Sequence, residues 1–257
     1  MSNIKVEKQG NTALLTISNP PANVWTQDSL NELYDVIEQL DADPDNYALV
    51  ITGEGDKFFS AGADLKTFAS GDKGVAATMA FAFGRAFERL AAYKGVSIAA
   101  INGFAMGGGL ECAMACDIRI AADNAQMALP EAAVGLLPCG CGTQNLPRIV
   151  GEGWAKRMIL CGERLKADKA LEIGLVEEVV GQGEAKDTAL ELAAKVAGQS
   201  PSSVGVCKDL IQAARTTAPD LNLPREREEF VALFDRADTT EGVNAFLEKR
   251  KPEWKNA

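Results

Sequence analysis

Histidine is missing from all 257 residues, and that absence excludes a good deal of chemistry. Without imidazole there is no Ser–His or Cys–His nucleophile pair, no His-ligated metal and no histidine acid–base catalysis. Any proton transfer must run through carboxylates, lysine, tyrosine or cysteine. Positive charge is scarce as well: 26 Lys and Arg face 36 Asp and Glu, a net −10 with a pI near 4.7. Nucleic acid would meet net repulsion, because its affinity for proteins comes largely from Lys and Arg neutralising phosphates, so no nucleic-acid partner is expected. Long apolar runs are missing too. The uncharged stretch from Gly95 to Leu110 is interrupted by Asn102 and several glycines and is too short to span a bilayer, so no membrane partner is expected. The start, Met1-Ser2-Asn3-Ile4-Lys5, lacks the apolar core of a secretion signal and the Arg-rich bias of a transit peptide. A cytoplasmic chain with reduced thiols is expected. Its six cysteines, at 112, 116, 139, 141, 161 and 207, do not form a zinc pattern: the first pair is separated by three residues, the second by one, and no tight C-x₂-C knuckle occurs.

What is present has the balance of an ordinary globular protein, 47% hydrophobic and 24% charged, and the length suits one large domain or a core with an appendage. Ala13, Leu15 and Ile17 alternate with polar residues, the period of a half-buried strand. Thr26 is placed to cap a helix carrying Leu30, Leu33, Tyr34, Ile37 and Leu40 on one face. The short continuous apolar runs Ala48–Gly53 and Val96–Ile101 predict strands buried on both faces, as in a parallel sheet covered by helices. Met79, Phe83, Phe87 and Leu90 mark a helix between them. Ile118 and Ile120 indicate a further strand, and Gln126-Met127-Ala128-Leu129 a short one. Strand and helix alternate to about residue 180, after which helical patterns dominate. Leu223-Pro224 is expected to open one of these helices, with Phe230, Leu233, Phe234 and Ala237 on a shared face. Thr239 or Thr240 is expected to cap the last, which carries Val243, Phe246 and Leu247. The chain therefore divides into an α/β core over 1–195, carrying the active site, and a helical C-terminal region over 196–257.

The candidate chemistry lies where glycines cluster after buried strands. Gly62 sits in Ser60-Ala61-Gly62-Ala63-Asp64, and Gly107-Gly108-Gly109 precedes a first helical turn. Such glycines admit a ligand close to the backbone, and amides at a helix start are ready donors to a developing negative oxygen; close helix–strand packing with no ligand is the other role they fit. The spacing does not match the dinucleotide fingerprint. Glu111 follows the glycines, where a helix dipole favours a carboxylate in any case. Glu131 is the only charge between Gln126 and Leu146. Two glutamates in apolar settings can share a water and divide acid and base roles.

Ser60-Ala61-Gly62-Ala63-Asp64-Leu65-Lys66, Asn102-Gly103 through Gly109, Glu111, Cys116-Asp117, Pro130-Glu131, Gly142-Thr143-Gln144 and Phe246-Leu247-Glu248-Lys249-Arg250-Lys251 together resemble the crotonase (enoyl-CoA hydratase/isomerase) family over nearly the whole chain. The resemblance implies an α/β spiral of ββα units with a C-terminal helical trimerisation region, assembled as a homotrimer or a dimer of trimers. It also implies an acyl-CoA thioester substrate, with CoA part of the substrate and no separate cofactor or metal. By position, the amides of Ala63 and Gly108 would hold the thioester oxygen, and Glu111 and Glu131 would be the hydratase pair. Ala61, Asp64 and Leu65 would lie along the adenine and pantetheine path. Lys57 and Lys249 would approach the phosphates, with Phe246 among the CoA-contacting positions; as sequence features, these lysines also fit ordinary solvated charges. Both glutamates together favour hydration of a trans-2-enoyl-CoA in fatty-acid β-oxidation. The nearest rivals are a double-bond isomerase or another lyase of the family; an RNA-binding or non-catalytic homologue belongs to a different class. The family usually shows glycines where this chain has Cys139 and Cys141. Cys139 is expected to keep a backbone conformation open to any residue, with Gly140 and Gly142 absorbing the unusual angles.

Overall fold

The computed structural model describes residues 2–256. Strands β1 (Ile4–Gln9) and β2 (Thr12–Ile17) form an antiparallel hairpin turned at Gly10, whose φ is +61°. Helix α1 (Gln27–Ala42) follows. Three ββα units come next: β3 (Ala48–Gly53), β4 (Phe58–Ser60) and α2 (Lys73–Ala91); β5 (Val96–Ile101), β6 (Phe104–Met106) and α3 (Gly108–Ala115); β7 (Ile118–Ala122), β8 (Gln126–Ala128) and α4 (Gly142–Leu160). The first strand of each unit joins a six-stranded sheet of order β1-β2-β3-β5-β7-β10, and the second joins a four-stranded sheet of order β4-β6-β8-β9. Strand β9 (Leu165–Lys166), helix α5 (Ala167–Glu172) and strand β10 (Glu178–Val180) complete the sheets. This is the spiral of ββα units that the resemblance implies.

The double burial expected for β3 and β5 is borne out. Leu49, Ile51, Ala99 and Ile101 face one cluster with Leu30, Leu33, Phe83 and Phe87 of α1 and α2. Ala48, Val50, Ile98 and Ala100 face the other, against Ala185, Ala189 and Ala193 of helix α6 (Ala185–Val196). Alanines at that spacing let α6 lie close on the sheet. Strand β1 was not foreseen: only Ile4 is buried, and its exposed Lys5, Glu7 and Lys8 are the charges that keep an edge strand from pairing further. Thr26 caps α1 as expected, its hydroxyl accepting Ser29 N–H at 3.2 Å while Ser29 Oγ accepts Thr26 N–H at 2.8 Å.

The C-terminal helices correct two expectations. Helix α7 (Pro201–Ala213) precedes α8, which spans Pro219–Ala232 and so opens four residues before Leu223. Proline at the first position costs no hydrogen bond, and Pro224 sits inside the helix. A 3₁₀ turn, Leu233–Asp235, then separates Ala237 from the Phe230 face. Ala237 is the first residue of α9 (Ala237–Glu248), whose N-cap is the extended Arg236 with no side-chain cap. Neither Thr239 nor Thr240 caps it; the Thr239 hydroxyl instead donates back to the Leu233 carbonyl.

Lys208 ties this region to the core. Its Nζ donates to Asp117 Oδ2 at 2.7 Å and to the carbonyls of Tyr93 at 2.6 Å and Gly95 at 3.0 Å. Asp117 Oδ2 also accepts Ser97 N–H and Oγ–H. Lys208→Met should therefore lower unfolding free energy by about 2 kcal/mol, the scale of a charged hydrogen bond lost with its partner left behind. Urea unfolding of the two proteins checks this; equal midpoints would show that the clamp contributes nothing.

Candidate active site

Strands β4 and β6 run parallel, so the chain leaves both at the same end of the small sheet. Two glycine-rich turns meet there. Gly62 has φ +88°, and a Cβ on it would lie 2.7 Å from the Met106 carbonyl and 3.2 Å from Gly108 N; on Gly109 it would lie 2.3 Å from the Ser60 carbonyl. Only glycine permits this approach, and the approach brings Ala63 beside the first residue of α3. Trp25 N–H donates to the Gly62 carbonyl at 2.7 Å and Asp64 N–H to the Trp25 carbonyl at 3.0 Å, which skips the Ala63 amide between them. Gly108 N–H, at the helix start, has no intrahelical acceptor. Among the described residues neither amide has a backbone or side-chain acceptor, and both line a cavity of about 330 Å³.

Glu111, one turn into α3, is 2% exposed. Its Oε1 accepts three backbone N–H groups, from Gly140 and Cys141 at 2.9 Å each and Gly142 at 2.7 Å. Those amides favour the carboxylate, but burial outweighs them and the pKa is raised. Glu131 opens a 3₁₀ turn, Glu131–Val134, after Pro130. Gly107, at φ +53°, makes room for it: a Cβ there would meet Glu131 Oε1 at 2.8 Å. Glu131 Oε2 is buried with no hydrogen-bond partner among the described residues. Burial, with the Glu111 charge adding, pushes Glu131 up to about 7. One carboxylate is thus anchored by three amides, while the other keeps one oxygen without a partner among the described residues.

Of the expected site residues, Glu111, Glu131, Ala63, Gly108, Ala61 and Leu65 line this one cavity. Asp64, Lys57, Phe246 and Lys249 do not. Asp64 caps the 3₁₀ turn Leu65–Phe68, its Oδ1 accepting Lys66 N–H at 3.1 Å. Lys57 lies in the turn before β4, with its ammonium 5.3 Å from the Phe58 ring centre. Phe246 is 83% exposed on α9, and Lys249 ends that helix with φ +55°. Cys139 lies outside the left-handed region, as expected. Gly140 and Gly142 do too, so they absorb no unusual angles. They are needed for closeness instead: a Cβ would come within 2.7 Å of the Phe87 ring at 140 and of Pro138 at 142. Sequence reasoning missed Arg164, Phe68, Phe83 and Leu137 in the cavity wall; no spacing relates them to the glutamates.

A sequence profile of the enoyl-CoA hydratase/isomerase family matches residues 7–257. The chain belongs to that family. It is similar to the short-chain-enoyl-CoA hydratase of Clostridium acetobutylicum, 39% identical over 254 residues that cover 98% of this chain and 97% of that one. It is also similar to the crotonyl-CoA hydratase of Syntrophomonas wolfei, 39% identical over 254 residues and covering 97% and 96%. The solved structure of Pseudomonas aeruginosa DspI superposes with a TM-score of 0.97 at 66% identity, over 99% of this chain and 97% of that one. In fold as in sequence this is a crotonase.

The Glu131 environment has a consequence for stability. Its folded-state pKa, about 7, lies above the ordinary 4.5, so the protonated form is favoured on folding. That contribution is complete below pH 4.5 and is lost as pH rises through about 7. The melting temperature of Glu131→Gln, relative to the parent protein, should therefore rise across that window. A constant difference would place Glu131 in an ordinary solvated setting.

Proposed function

We propose that this chain hydrates trans-2-enoyl-CoA thioesters to 3-hydroxyacyl-CoA, through two glutamates and a backbone oxyanion hole. The observation that carries the reading is the meeting, in one cavity, of two unspent amides with two carboxylates of different environment. The amides of Ala63 and Gly108 hold the thioester oxygen and draw electron density from the conjugated double bond. A water between Glu111 and Glu131 adds its oxygen to Cβ and gives a proton to Glu111. Protonated Glu131 delivers a proton to Cα, which closes the enolate to the 3-hydroxyacyl product. Proton exchange with entering water restores both carboxyls. No cofactor beyond the substrate's own CoA takes part in these steps.

The surface of the C-terminal region supports assembly. Ile211, Phe230, Phe234, Phe246 and Leu247 are each 63–83% exposed, a large apolar display for a monomer. In this reading residues 1–195 form the catalytic core, while 196–257 pack into a homotrimer or dimer of trimers that covers those side chains. Assembly also accounts for Phe246 and Lys249 lying away from their own cavity, since they then reach a neighbouring subunit's CoA, with Lys57 near the phosphates. Among the described residues no helix is long and apolar enough to cross a membrane. The proposed setting is the cytoplasm, in β-oxidation.

Glu111→Gln and Glu131→Gln should each lower crotonyl-CoA turnover by about 10²-fold or more, the usual size of a general acid–base contribution. Parent kcat/KM should fall as pH rises above about 7, as Glu131 loses its proton. Loss of the conjugated-thioester absorbance follows both. Turnover surviving either change would remove the two-carboxylate mechanism; conversion of a 3-enoyl-CoA by a tolerated Glu111→Gln would point to an isomerase.

Light scattering should give a mass of three or six chains. Lys57→Ala and Lys249→Ala should raise KM for acyl-CoA more than they lower kcat, and added salt should do the same by screening phosphate attraction. A KM indifferent to all three would return both lysines to ordinary surface charges.

A further inference from the structure

The catalytic cavity has a second neighbour that the hydration steps do not use. A groove of about 680 Å³ runs along the outer side of α2, bounded by Tyr34, Ala80, Phe81, Gly84, Arg85 and Ala92, with Glu88 and Arg89 in its wall. Among the described residues Cys139 is the one that lines both spaces. The Cys139 side chain is exposed between buried Pro138 and buried Gly140, at the border that the two spaces share. The backbone beside it is held in place: the 140–142 amides are bonded to Glu111, and Gly140 lies against the Phe87 ring.

We propose that Cys139 is the gate through which acyl tails too long for the catalytic cavity pass into the groove along α2, so that its side chain sets acyl-chain preference. This rests on the hydratase reading and deepens it. A cavity of about 330 Å³ has to accommodate the thioester, the reacting carbons and a water, which leaves little space for a long tail. The groove suits an alkyl chain. Ala80 and Gly84, one helical turn apart, leave its floor free of bulk, and Phe81, 80% exposed, offers an unpartnered ring. Two of the charges in the wall are already engaged: Arg85 stacks on Tyr34 at 3.7 Å from the ring centre, and Arg89 is paired with Glu38 and with Asp41. Glu88 has no ion-pair partner among the described residues. A glycine at 139 would leave the gate open, whereas the thiol narrows it and costs a long tail more than a short one.

The test compares kcat/KM for trans-2-dodecenoyl-CoA and crotonyl-CoA. Gly84→Leu fills the groove without strain, since a Cβ there meets only Glu88 Oε1 at 3.5 Å. The dodecenoyl-to-crotonyl ratio should rise in Cys139→Gly and fall in Gly84→Leu, each by about tenfold or more, as expected when a few methylenes gain or lose apolar contact. Ratios unchanged in both variants, or a ratio that responds to Leu137→Trp and not to Gly84→Leu, would overturn the gate. A second measurement needs no variant and no turnover. Dodecanoyl-CoA should protect Cys139 of the parent protein from iodoacetamide, as read by peptide mass with Cys161 as the internal reference, whereas butyryl-CoA should protect it much less. Equal protection by two ligands shown by calorimetry to be bound overturns the proposal. If the parent failed to hydrate crotonyl-CoA at all, the hydratase reading would fall, and the protection experiment would decide the tail path by itself.

Discussion

The burial of one carboxylate determines much of the geometry around the cavity. Glu111 lies in the interior on α3, where an unpaired anion would cost several kcal/mol. Three successive amides leading into α4, of Gly140, Cys141 and Gly142, offset that cost by converging on one oxygen. The contact fixes the distance between two helices that begin in different ββα units. It also dictates the turn's composition: with the amides drawn in this far, the space at 140 and 142 is already occupied by Phe87, Pro138 and Leu129. Glycine is required there by proximity to these neighbours, not by backbone angle. The Cys141 thiol adds a bond from the same turn to the Glu111 carbonyl at 3.3 Å.

The two sheets divide the labour. Strands β3, β5 and β7 lie in the larger sheet, and the first two are sealed by helices on both sides, which provides a rigid frame. Strands β4, β6 and β8 are only three residues long, and their ends deliver Ala63, Gly108 and Glu131 to one place. Short parallel strands suit this task, because each brings its following turn to the same edge. Backbone amides left unpaired there, those of Ala63 and Gly108, line the cavity.

The asymmetry between the glutamates has the same origin. Glu111 is buried and Glu131 half-buried, and both are pushed towards protonation. Glu111 meets the amides, whereas Glu131 projects past a glycine into a space with no donor for its second oxygen. Identical side chains thus meet different surroundings: three amides converge on one oxygen of Glu111, whereas one oxygen of Glu131 is left without a partner among the described residues. In the proposed mechanism that difference divides acid and base work in a chain with no histidine.

The sequence by itself determined the buried strands, the Thr26 cap, the apolar faces of α1 and α2 and, through the resemblance of its motifs to a known family, the residues that line the cavity from the two glycine turns. These follow from local periodicity, from caps, and from motifs whose residues are neighbours in the chain. It misplaced the starts of α8 and α9, because Pro224, Thr239 and Thr240 are residue types that also begin helices, whereas Pro219 takes the first position of α8 and a 3₁₀ turn followed by the extended Arg236 precedes α9. It also could not show the amide cradle of Glu111, the roles of Gly107, Gly140 and Gly142, the lining by Arg164 and Phe83, or the position of Cys139 between two spaces. Each of these is a contact between segments far apart in sequence, and only the spiral of ββα units, by stacking one turn over another, brings them within bonding distance.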